Sequence, residues 1–330
     1  MQYSRNYPDS IIEAIRNTLG TSGVVTIITD NPSEIVDKIS FKSCVFNNNA
    51  AKNGAAIYID RSGAYGNRVD ILRSVFMNNQ AMGNESKGGA IFVRSGRVIL
   101  SNSLLFGNKA FSGNALYFTG DLMRVTQCTI ANVSDPTKGS ADIRVDTKGL
   151  YVDNSVLFSN GLFLIKESSA ATTPNVFRCL SYPVALSYAV ESITEDPVFV
   201  NPSLSDFRVV KGSPCINSAI YKKKLPYYKE LKEVLLDDVD NDFDVAGAKR
   251  NKPDIGAFEY TTKDTGFFLN SDENGEVLSG NNAETYKDLL DNIEKLRNGG
   301  SVIEDPKDKD KDKDKDKNSP RGNNNPNRNN

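Results

Sequence analysis

The acidic run at 237–244 has the spacing of oxygen ligands for a cation. Its aspartates alternate like the first ligands of a calcium-binding loop, at Asp238, Asp240, Asp242 and Asp244. Phe243 then occupies the place of the glycine that such a loop needs for its turn, and Lys249 occupies the place of its bidentate glutamate. These two departures favour an ordinary polar loop, with calcium binding as the alternative.

A second cluster of charge lies at Asp142, Arg144 and Asp146. Residues two apart share one face of a strand, so two carboxylates would flank a guanidinium there. Some polysaccharide lyases hold calcium with acidic residues beside an arginine base, and this cluster would offer that chemistry. A solvated strand face is the favoured interpretation, because a motif becomes a site only in a suitable structural context. Asp60 and Arg61 offer the same pattern with less support.

The remaining chemistry-bearing residue types exclude several kinds of site. The chain contains no histidine, which removes histidine-based triads and the commonest zinc ligand. Its four cysteines show no C-x-x-C spacing, and the three possible disulfide pairings stay open beside the favoured interpretation of buried reduced thiols: Cys44, Cys128, Cys179 and Cys215. The sequence therefore assigns no catalytic, cofactor-binding or metal-binding residue.

Residues 43–160 contain a sequence repeat, and the fold of this repeat determines where any functional side chains lie. One motif places an apolar residue three positions before an asparagine: Phe46 to Asn49, Phe76 to Asn79, Leu105 to Asn108, Leu157 to Asn160 and, more weakly, Thr129 to Asn132. The marker asparagines are 30, 29, 24 and 28 residues apart. A second motif leads from small residues into a strand at 54–59, 88–93 and 113–118. A fixed period of this length is typical of a solenoid.

Each repeat unit has short β-type runs and cannot bury its apolar residues alone, so the units are expected to stack as a parallel β-helix. Alternation points one set of side chains inward: Ile57, Ile59, Ile91, Val93, Leu116 and Phe118. Tyr58, Phe92 and Tyr117 would then form an aromatic row outside. Asparagine suits the turns and can bond along a stacked column, and glycine allows the tight corner before each strand.

The F-x-x-N and G-G-A-[I/L] motifs resemble the repeats of the chlamydial polymorphic outer membrane proteins. That resemblance implies a right-handed β-helix and a role as a surface passenger or adhesin. The fourth unit departs from the pattern at 139–146, where the repeat register would bury Asp142 and Arg144. A slip of one residue instead places Ile143 and Val145 inside and sends the charges to solvent.

The sequence at 196–260 resembles the C-terminal coils of bacterial secreted right-handed β-helix proteins. Its matching blocks are D-P-V-F, D-F-R-V, G-S-P-C-I-N and D-I-G-A-F-E, beginning at Asp196, Asp206, Gly212 and Asp254. The departure is a lysine- and leucine-rich insert at 221–236, which is expected to be helical.

Four segments are predicted along the chain. Residues 1–20 form an N-terminal cap with a helix over 9–20, and 21–260 form the all-β, single-stranded right-handed parallel β-helix. Residues 261–304 are a linker with a short helix over 283–298. Residues 305–330 alternate lysine with aspartate and then become asparagine-rich, which predicts a disordered tail.

Charge and hydropathy limit the function classes. The formal net charge of −2 gives no electrostatic reason to expect nucleic acid, and no apolar run has membrane-spanning length. No signal peptide is visible at the first residues, so a secreted origin would require a trimmed start or a fragment of a longer protein. The favoured function is a monomeric extracellular or cell-surface recognition module, without a cofactor, that binds glycans or surface proteins. A carbohydrate-active lyase or hydrolase is the alternative, and the fold alone cannot separate the two.

Overall fold

The structure, a computed structural model, describes residues 23–28, 38–61, 68–132, 141–159, 165–168, 173–231 and 243–261. Two compact units divide the chain, Met1–Lys287 and Asp288–Asn330, and every described residue lies in the first. The predicted helices over 9–20 and 283–298 and the predicted tail lie outside the described residues. The predicted linker lies outside them too, apart from its first residue.

Three six-stranded parallel sheets form the stack. Sheet 1 contains β1 (Val25–Ile28), β5 (Ile57–Asp60), β9 (Ile91–Ser95), β12 (Leu116–Phe118), β15 (Ile143–Val145) and β18 (Ile165–Glu167). Sheet 2 contains β2 (Ile39–Lys42), β6 (Arg68–Leu72), β10 (Arg97–Ser101), β13 (Leu122–Thr126), β16 (Leu150–Asp153) and β19 (Asn175–Phe177). Sheet 3 contains β3 (Val45–Asn47), β7 (Val75–Met77), β11 (Leu104–Phe106), β14 (Thr129–Asn132), β17 (Val156–Ser159) and β20 (Leu180–Tyr182).

Each turn of the chain adds one strand to each sheet, so the predicted parallel β-solenoid is confirmed. Two short strands, β4 (Ala50–Ala51) and β8 (Gln80–Ala81), pair beside the stack. Residues 176–180 contain the end of β19 and the start of β20 on either side of Arg178. Arg178 has a φ of 54° and turns the corner between the two sheets.

Apolar side chains from all three sheets fill most of the interior of the stack. The side chains predicted to face inward from β5, β9 and β12 are fully buried, as are Ile143 and Val145 of β15. Sheet 3 adds the Phe46 and Phe76 rings, which stack with centroids 4.8 Å apart. The predicted one-residue slip is therefore confirmed. The prediction that both charges reach solvent is wrong for Asp142, which is only 2% exposed, whereas Arg144 does point outward and its side chain is 20% exposed.

The marker asparagines form a buried ladder inside the stack. The Asn49 amide nitrogen donates to Asn79 Oδ1 at 2.7 Å, and the Asn79 amide nitrogen donates to Asn108 Oδ1 at 2.9 Å. Asn79 also donates to the Phe46 carbonyl oxygen at 3.0 Å. The predicted bonding along the column is confirmed, and each amide satisfies groups of neighbouring turns.

The left-handed turn positions lie one residue before the ladder, so the marker asparagines themselves do not occupy the turn positions for which asparagine was predicted. Asn48 and Asn78 each have a φ of 56°, and Gly107 has a φ of 64°. The corner glycines do behave as predicted. Gly88 has a φ of +62°, and a Cβ there would lie 2.2 Å from the Ile91 carbonyl oxygen.

A column of cysteine and serine follows the corner between sheets 2 and 3. Its members each follow a left-handed residue: Cys44, Ser74, Ser103, Cys128, Ser155 and Cys179. The backbone nitrogen of Cys44 donates to Ser74 Oγ at 3.2 Å, and that of Cys128 donates to Ser155 Oγ at 3.1 Å. Cys128 and Cys179 lie two strands apart, about 9.6 Å, which is beyond disulfide reach. All four cysteines of the chain lie among the described residues and are buried outside disulfides.

Residues 196–231 and 243–261, here called the clasp, do not continue the three sheets. Their described strands, β21 (Phe199–Asn201) and β22 (Asp206–Val209), form an antiparallel pair. The prediction of further coils over 196–260 is therefore wrong for this part of the chain. The expected helix at 221–236 is reduced, in its described part, to a 3-10 turn at Lys222–Lys224 and one helical turn, α1 (Tyr228–Leu231).

The clasp lies against the outer faces of sheets 2 and 3. Phe199 and Phe207 pack on rings of sheet 3, with centroids 5.3 Å from Phe158 and 5.4 Å from Phe106 respectively. On sheet 2, Leu225, Tyr227 and Leu231 bury a second apolar cluster with Leu72, Ile99, Tyr151 and Phe177. The corner between the two sheets is bonded as well, since the Ile220 backbone nitrogen donates to Asn154 Oδ1 at 2.9 Å.

Charged side chains are buried where the clasp meets the stack. Arg124 Nε and Nη2 donate to the two carboxylate oxygens of Asp153 at 2.8 and 2.9 Å, and the Tyr227 hydroxyl donates to the same carboxylate at 2.8 Å. Arg250 donates to Asn102 Oδ1 at 2.9 Å and forms an ion pair with Glu259. The bidentate geometry of the first pair offsets part of the desolvation cost of its charges.

Candidate functional site: a cationic groove on sheet 1

A groove of about 790 Å³ opens on the outer face of sheet 1. The clasp contacts described above lie instead on the outer faces of sheets 2 and 3. The floor of the groove is formed by strand residues, and its walls come from the turns before β5, β9 and β12. The lining residues are Lys52, Asn53, Tyr58, Glu85, Lys87, Phe92, Arg94, Phe111, Ser112, Tyr117, Ala141, Arg144 and Lys166. This volume lies within the range of small-molecule binding pockets.

One in-register row of outward side chains forms the floor of the groove from Tyr58 to Lys166 and continues beyond the groove to Thr26. Parallel pairing aligns one residue from each strand of sheet 1, in the order Thr26, Tyr58, Phe92, Tyr117, Arg144 and Lys166. The predicted aromatic row is confirmed, since the Tyr58 and Phe92 centroids are 5.4 Å apart and the Phe92 and Tyr117 centroids are 5.2 Å apart. The row thus passes from three rings to two cations.

Lys87 covers the aromatic part of the floor. Its ammonium lies 5.1 Å from the Tyr117 centroid and 6.0 Å from the Phe92 centroid, within the range of cation–π attraction. Phe92 and Tyr117 are each only 6% exposed. Phe111 on the wall is 60% exposed and offers an open ring face. The surface that a ligand would meet is therefore charged over the floor and aromatic at the wall.

Arg94 stands at one border of the groove. Its Nη1 donates to Asp60 Oδ2 at 2.8 Å, while its side chain remains 63% exposed. A hydrogen bond with Tyr58 and the charge of Asp60 raise the pKa of Arg94 above its usual value, so this side chain is a permanent cation. The pair orients the guanidinium along the groove edge without removing it from water.

Arg144 and Asp146 form a second border pair. Arg144 Nε donates to Asp146 Oδ1 at 2.7 Å, and the Tyr117 hydroxyl donates to Asp146 Oδ2 at 2.5 Å. Burial and the hydrogen bond to Asp146 raise the pKa of Tyr117 to about 12. The tyrosine therefore keeps its proton at neutral pH, and the carboxylate accepts from two donors.

The three residues predicted as an alternative lyase site separate in the structure. Arg144 and Asp146 reach the groove border, but Asp142 is buried and its carbonyl oxygen accepts from the backbone nitrogens of Ala115 and Leu116. Of the Asp60–Arg61 pair, Asp60 reaches the border while Arg61 is buried.

Only the end of the alternating aspartate run is described. Asp244 is buried, and its carboxylate accepts from the backbone nitrogens of Ala248 at 2.6 Å and Glu259 at 2.9 Å. It therefore closes a turn of the clasp. Asp238, Asp240 and Asp242 lie outside the described residues. Within the described ranges no three cysteine, aspartate or glutamate side chains come together as a metal site.

Sequence reasoning missed most of the groove. It identified the aromatic row but not Lys52, Lys87, Arg94 or Lys166 as members of a site, because successive cations of this set are 7 to 72 residues apart in the chain. The signal that could have found them was the strand register. Arg144 and Lys166 occupy the position of the aromatic row in the next two strands, so extending the row past Tyr117 would have predicted a cationic end.

One family model matches the chain. It is the Chlamydia polymorphic membrane protein (Chlamydia_PMP) repeat, at residues 43–60, which include Phe46, Asn49 and the whole of the first predicted strand motif at 54–59. Comparisons with curated proteins and with solved structures gave no match. The repeat match and the parallel solenoid fit a surface-associated β-helix protein. In the part of the chain that the structure describes, no helix is long and apolar enough to cross a membrane.

Proposed function

We propose that this chain is an extracellular or cell-surface recognition module that binds its partner in the sheet 1 groove. The observation that carries the proposal is the composition of the groove. Its described lining contains five cationic side chains, an exposed phenylalanine and neutral hydrogen-bonding groups on one regular sheet face. Such a surface can bind and orient a partner without catalysing a reaction.

The position of the groove supports this function. The clasp covers the outer faces of sheets 2 and 3 with apolar clusters, and the groove lies on the remaining sheet of the stack. Because its floor belongs to a continuously bonded parallel sheet, the binding side chains are set on a rigid element. A rigid site loses little conformational freedom when it binds.

A carbohydrate-active enzyme is the second candidate, favoured by the cluster of Tyr117, Arg144 and Asp146 at the groove border. A hydrolase would use a pair of carboxyl groups, and a lyase would need a base to remove a proton. Tyr117 retains its proton with a pKa of about 12, and Asp146 is engaged by both neighbours. The cluster supports binding better than proton transfer.

Binding and turnover can be measured in parallel. Labelled full-length chain is applied to an immobilised panel of glycans and cell-surface proteins, and the same preparations are assayed for new reducing ends and unsaturated products, with and without calcium. We expect saturable binding without turnover.

Two matched double variants locate the binding. Arg94→Glu with Lys166→Glu reverses two groove charges, and Lys211→Glu with Lys223→Glu reverses two exposed charges on the clasp. The proposal requires that only the groove variant loses binding. Equal binding by both variants would reject the groove as the recognition site, and turnover abolished by Asp146→Asn would establish the enzyme instead.

A further inference from the structure

The floor row has the geometry of a site for an extended ligand. Strands of a sheet are spaced about 4.8 Å apart, so the five aligned residues that line the groove, from Tyr58 to Lys166, span about 19 Å along the stack. The rings occupy one end of this row and the cations Arg144 and Lys166 occupy the other. A ligand that contacts the whole row must run across the strands, parallel to the axis of the stack.

The groove is positive although the chain is not. Its described lining holds five cations and one carboxylate, that of Glu85. Two further carboxylates stand at the border, where Asp60 pairs with Arg94 and Asp146 pairs with Arg144, whereas the whole chain has a net charge of −2. A groove of one dominant sign attracts an oppositely charged ligand and raises its association rate.

The guanidinium groups are presented for carboxylate or sulfate oxygens. Arg94 is 63% exposed and is oriented by Asp60, and the Nε of Arg144 is engaged by Asp146, which fixes the plane of that guanidinium. A planar guanidinium binds oxyanions through two parallel hydrogen bonds. Lys87 adds an ammonium held over the aromatic floor.

The remaining lining favours a sugar chain over an acidic peptide or a nucleic acid. Asn53, Ser112 and the Tyr58 hydroxyl are neutral groups suited to ligand hydroxyls, and Phe111 offers one open ring. Single-stranded nucleic acids are bound on rows of open aromatic faces, whereas Phe92 and Tyr117 are almost fully covered.

We infer that the sheet 1 groove binds a linear anionic glycan, with its uronate or sulfate groups on the Arg94, Arg144 and Lys166 side chains and its length along the strand row. This inference rests on the proposed recognition function and specifies the ligand of the same groove. The binding is electrostatic in large part, so it weakens as salt is added.

Calorimetric titration of the full chain tests the ligand class. The probes are a sulfated heparin-derived hexasaccharide, hexagalacturonate, the neutral maltohexaose and hexaglutamate. We expect one or both anionic sugars to bind, with affinity falling at least tenfold between low and high salt, and no binding of maltohexaose or hexaglutamate. The two anionic sugars separate sulfate from carboxylate recognition.

Matched variants test the location. Arg144→Gln with Lys166→Gln should weaken anionic sugar binding at least tenfold, while Lys211→Gln with Lys223→Gln, which removes the same charge from the clasp, should leave it unchanged. If the groove double variant does not fold, Lys166→Gln alone and Phe111→Ala replace it in the same titrations, because both side chains are exposed. Equal weakening by groove and clasp variants would mean non-specific attraction and would overturn the inference.

Failure of the ligand class can be distinguished from failure of the groove. Tighter binding of maltohexaose or hexaglutamate, lost in the groove variants, would overturn the anionic glycan while the recognition function stands. The inference of an anionic glycan ligand is likewise overturned if none of the four probes binds, while binding to the immobilised panel of glycans and cell-surface proteins is still lost in Arg94→Glu with Lys166→Glu. Adhesion that is unaffected by the groove charges would remove the proposed function itself.

Discussion

The stack and the clasp bury polar groups by different means. In the stack, Asn49, Asn79 and Asn108 are identical residues that satisfy one another from turn to turn. In the clasp, Arg250 satisfies four unlike partners: the Asn102 side chain, the Asp254 and Gly256 carbonyl oxygens, and the Glu259 carboxylate. The asparagine ladder repeats one neutral arrangement, whereas Arg250 makes a single arrangement that depends on charge, as does the Arg124–Asp153 pair that the stack buries.

This difference separates two kinds of stability. A neutral ladder is indifferent to pH and spreads each loss over neighbouring turns. A buried charged cluster responds to pH, because burial disfavours the charged form of its carboxyl groups and raises the pKa of Glu259, Asp244 and Asp254. We therefore expect the stack to fail by loss of packing and the clasp to respond to protonation.

The largest effect is expected from a charge placed inside the stack. Ile91→Asp puts a carboxylate among fully buried apolar side chains and should cost about 5 kcal/mol or more, enough to unfold many domains. Soluble yield and denaturant unfolding measure this cost. Arg94→Asp, three residues further on at an exposed position, should leave the unfolding midpoint nearly unchanged, and equal tolerance of the two variants would refute the assigned strand faces.

Removal of one asparagine from the ladder should reduce the free energy of unfolding slightly less than Ile91→Asp does. Asn79→Ala deletes four side-chain hydrogen bonds, to Asn49 nitrogen atoms, to the Phe46 carbonyl oxygen and to Asn108 Oδ1, and should reduce the free energy of unfolding by about 4 kcal/mol. Asn84→Ala, at an exposed site, is the matched control and should be neutral. A rung variant as stable as this control would show that the ladder contributes nothing.

The clasp should loosen as pH rises towards neutrality. Burial raises the pKa of Glu259 to about 7 from 4.5, and burial also raises the pKa values of Asp244 and Asp254. The folded state then binds protons that the unfolded state releases, so the stabilisation is complete below about pH 4.5 and is lost as pH rises through about 7. For Glu259 alone the change is at most about 3 kcal/mol.

Hydrogen exchange of the amides at 254–260, corrected for intrinsic rates, measures this loosening between pH 5 and pH 7.5. The amides at 91–93 in the stack are the internal reference and should show no such trend. Glu259→Gln should flatten the pH dependence at 254–260. Protection there that does not vary with pH, or that varies equally in the variant, would contradict the charge-dependent account of the clasp.

The smallest effect is expected at a cysteine of the corner column. Cys128→Ser should change stability by less than about 1 kcal/mol, because serine already occupies the same position in neighbouring turns and donates there, as Ser103 Oγ does to the Ser101 carbonyl oxygen at 2.8 Å. Cys215 lies in the clasp, where no neighbouring turn places a serine at the same position, so Cys215→Ser should reduce the free energy of unfolding more than Cys128→Ser does. Thermal unfolding of the two variants measures the difference, and a larger loss at Cys128 would contradict the equivalence of the column.

The same contrast explains what could be predicted from sequence. The strand faces at Ile57, Ile91 and Leu116, the asparagine column and the aromatic row all recur with the repeat, so each unit supports the prediction made from the others. The clasp contacts do not recur. Arg250 with Asn102 and Tyr227 with Asp153 are unique pairs, and no local pattern marks them. The cationic groove was predictable only in part. The positions of its floor residues follow the strand register, but the residue types change from aromatic to cationic along the row.

The sequence separation of these contacts implies an order of folding. Ladder bonds join residues 30 and 29 apart, and adding a turn does not lengthen the loop that the next bond must close. The clasp bonds of Arg250 to Asn102 and of Ala257 to Thr129 close loops of 148 and 128 residues. The longer loop costs about 1.4 kcal/mol more chain entropy than a ladder bond. The stack can therefore assemble one turn at a time, and the clasp closes on it only after the turns that supply Asn102 and Thr129 are in place.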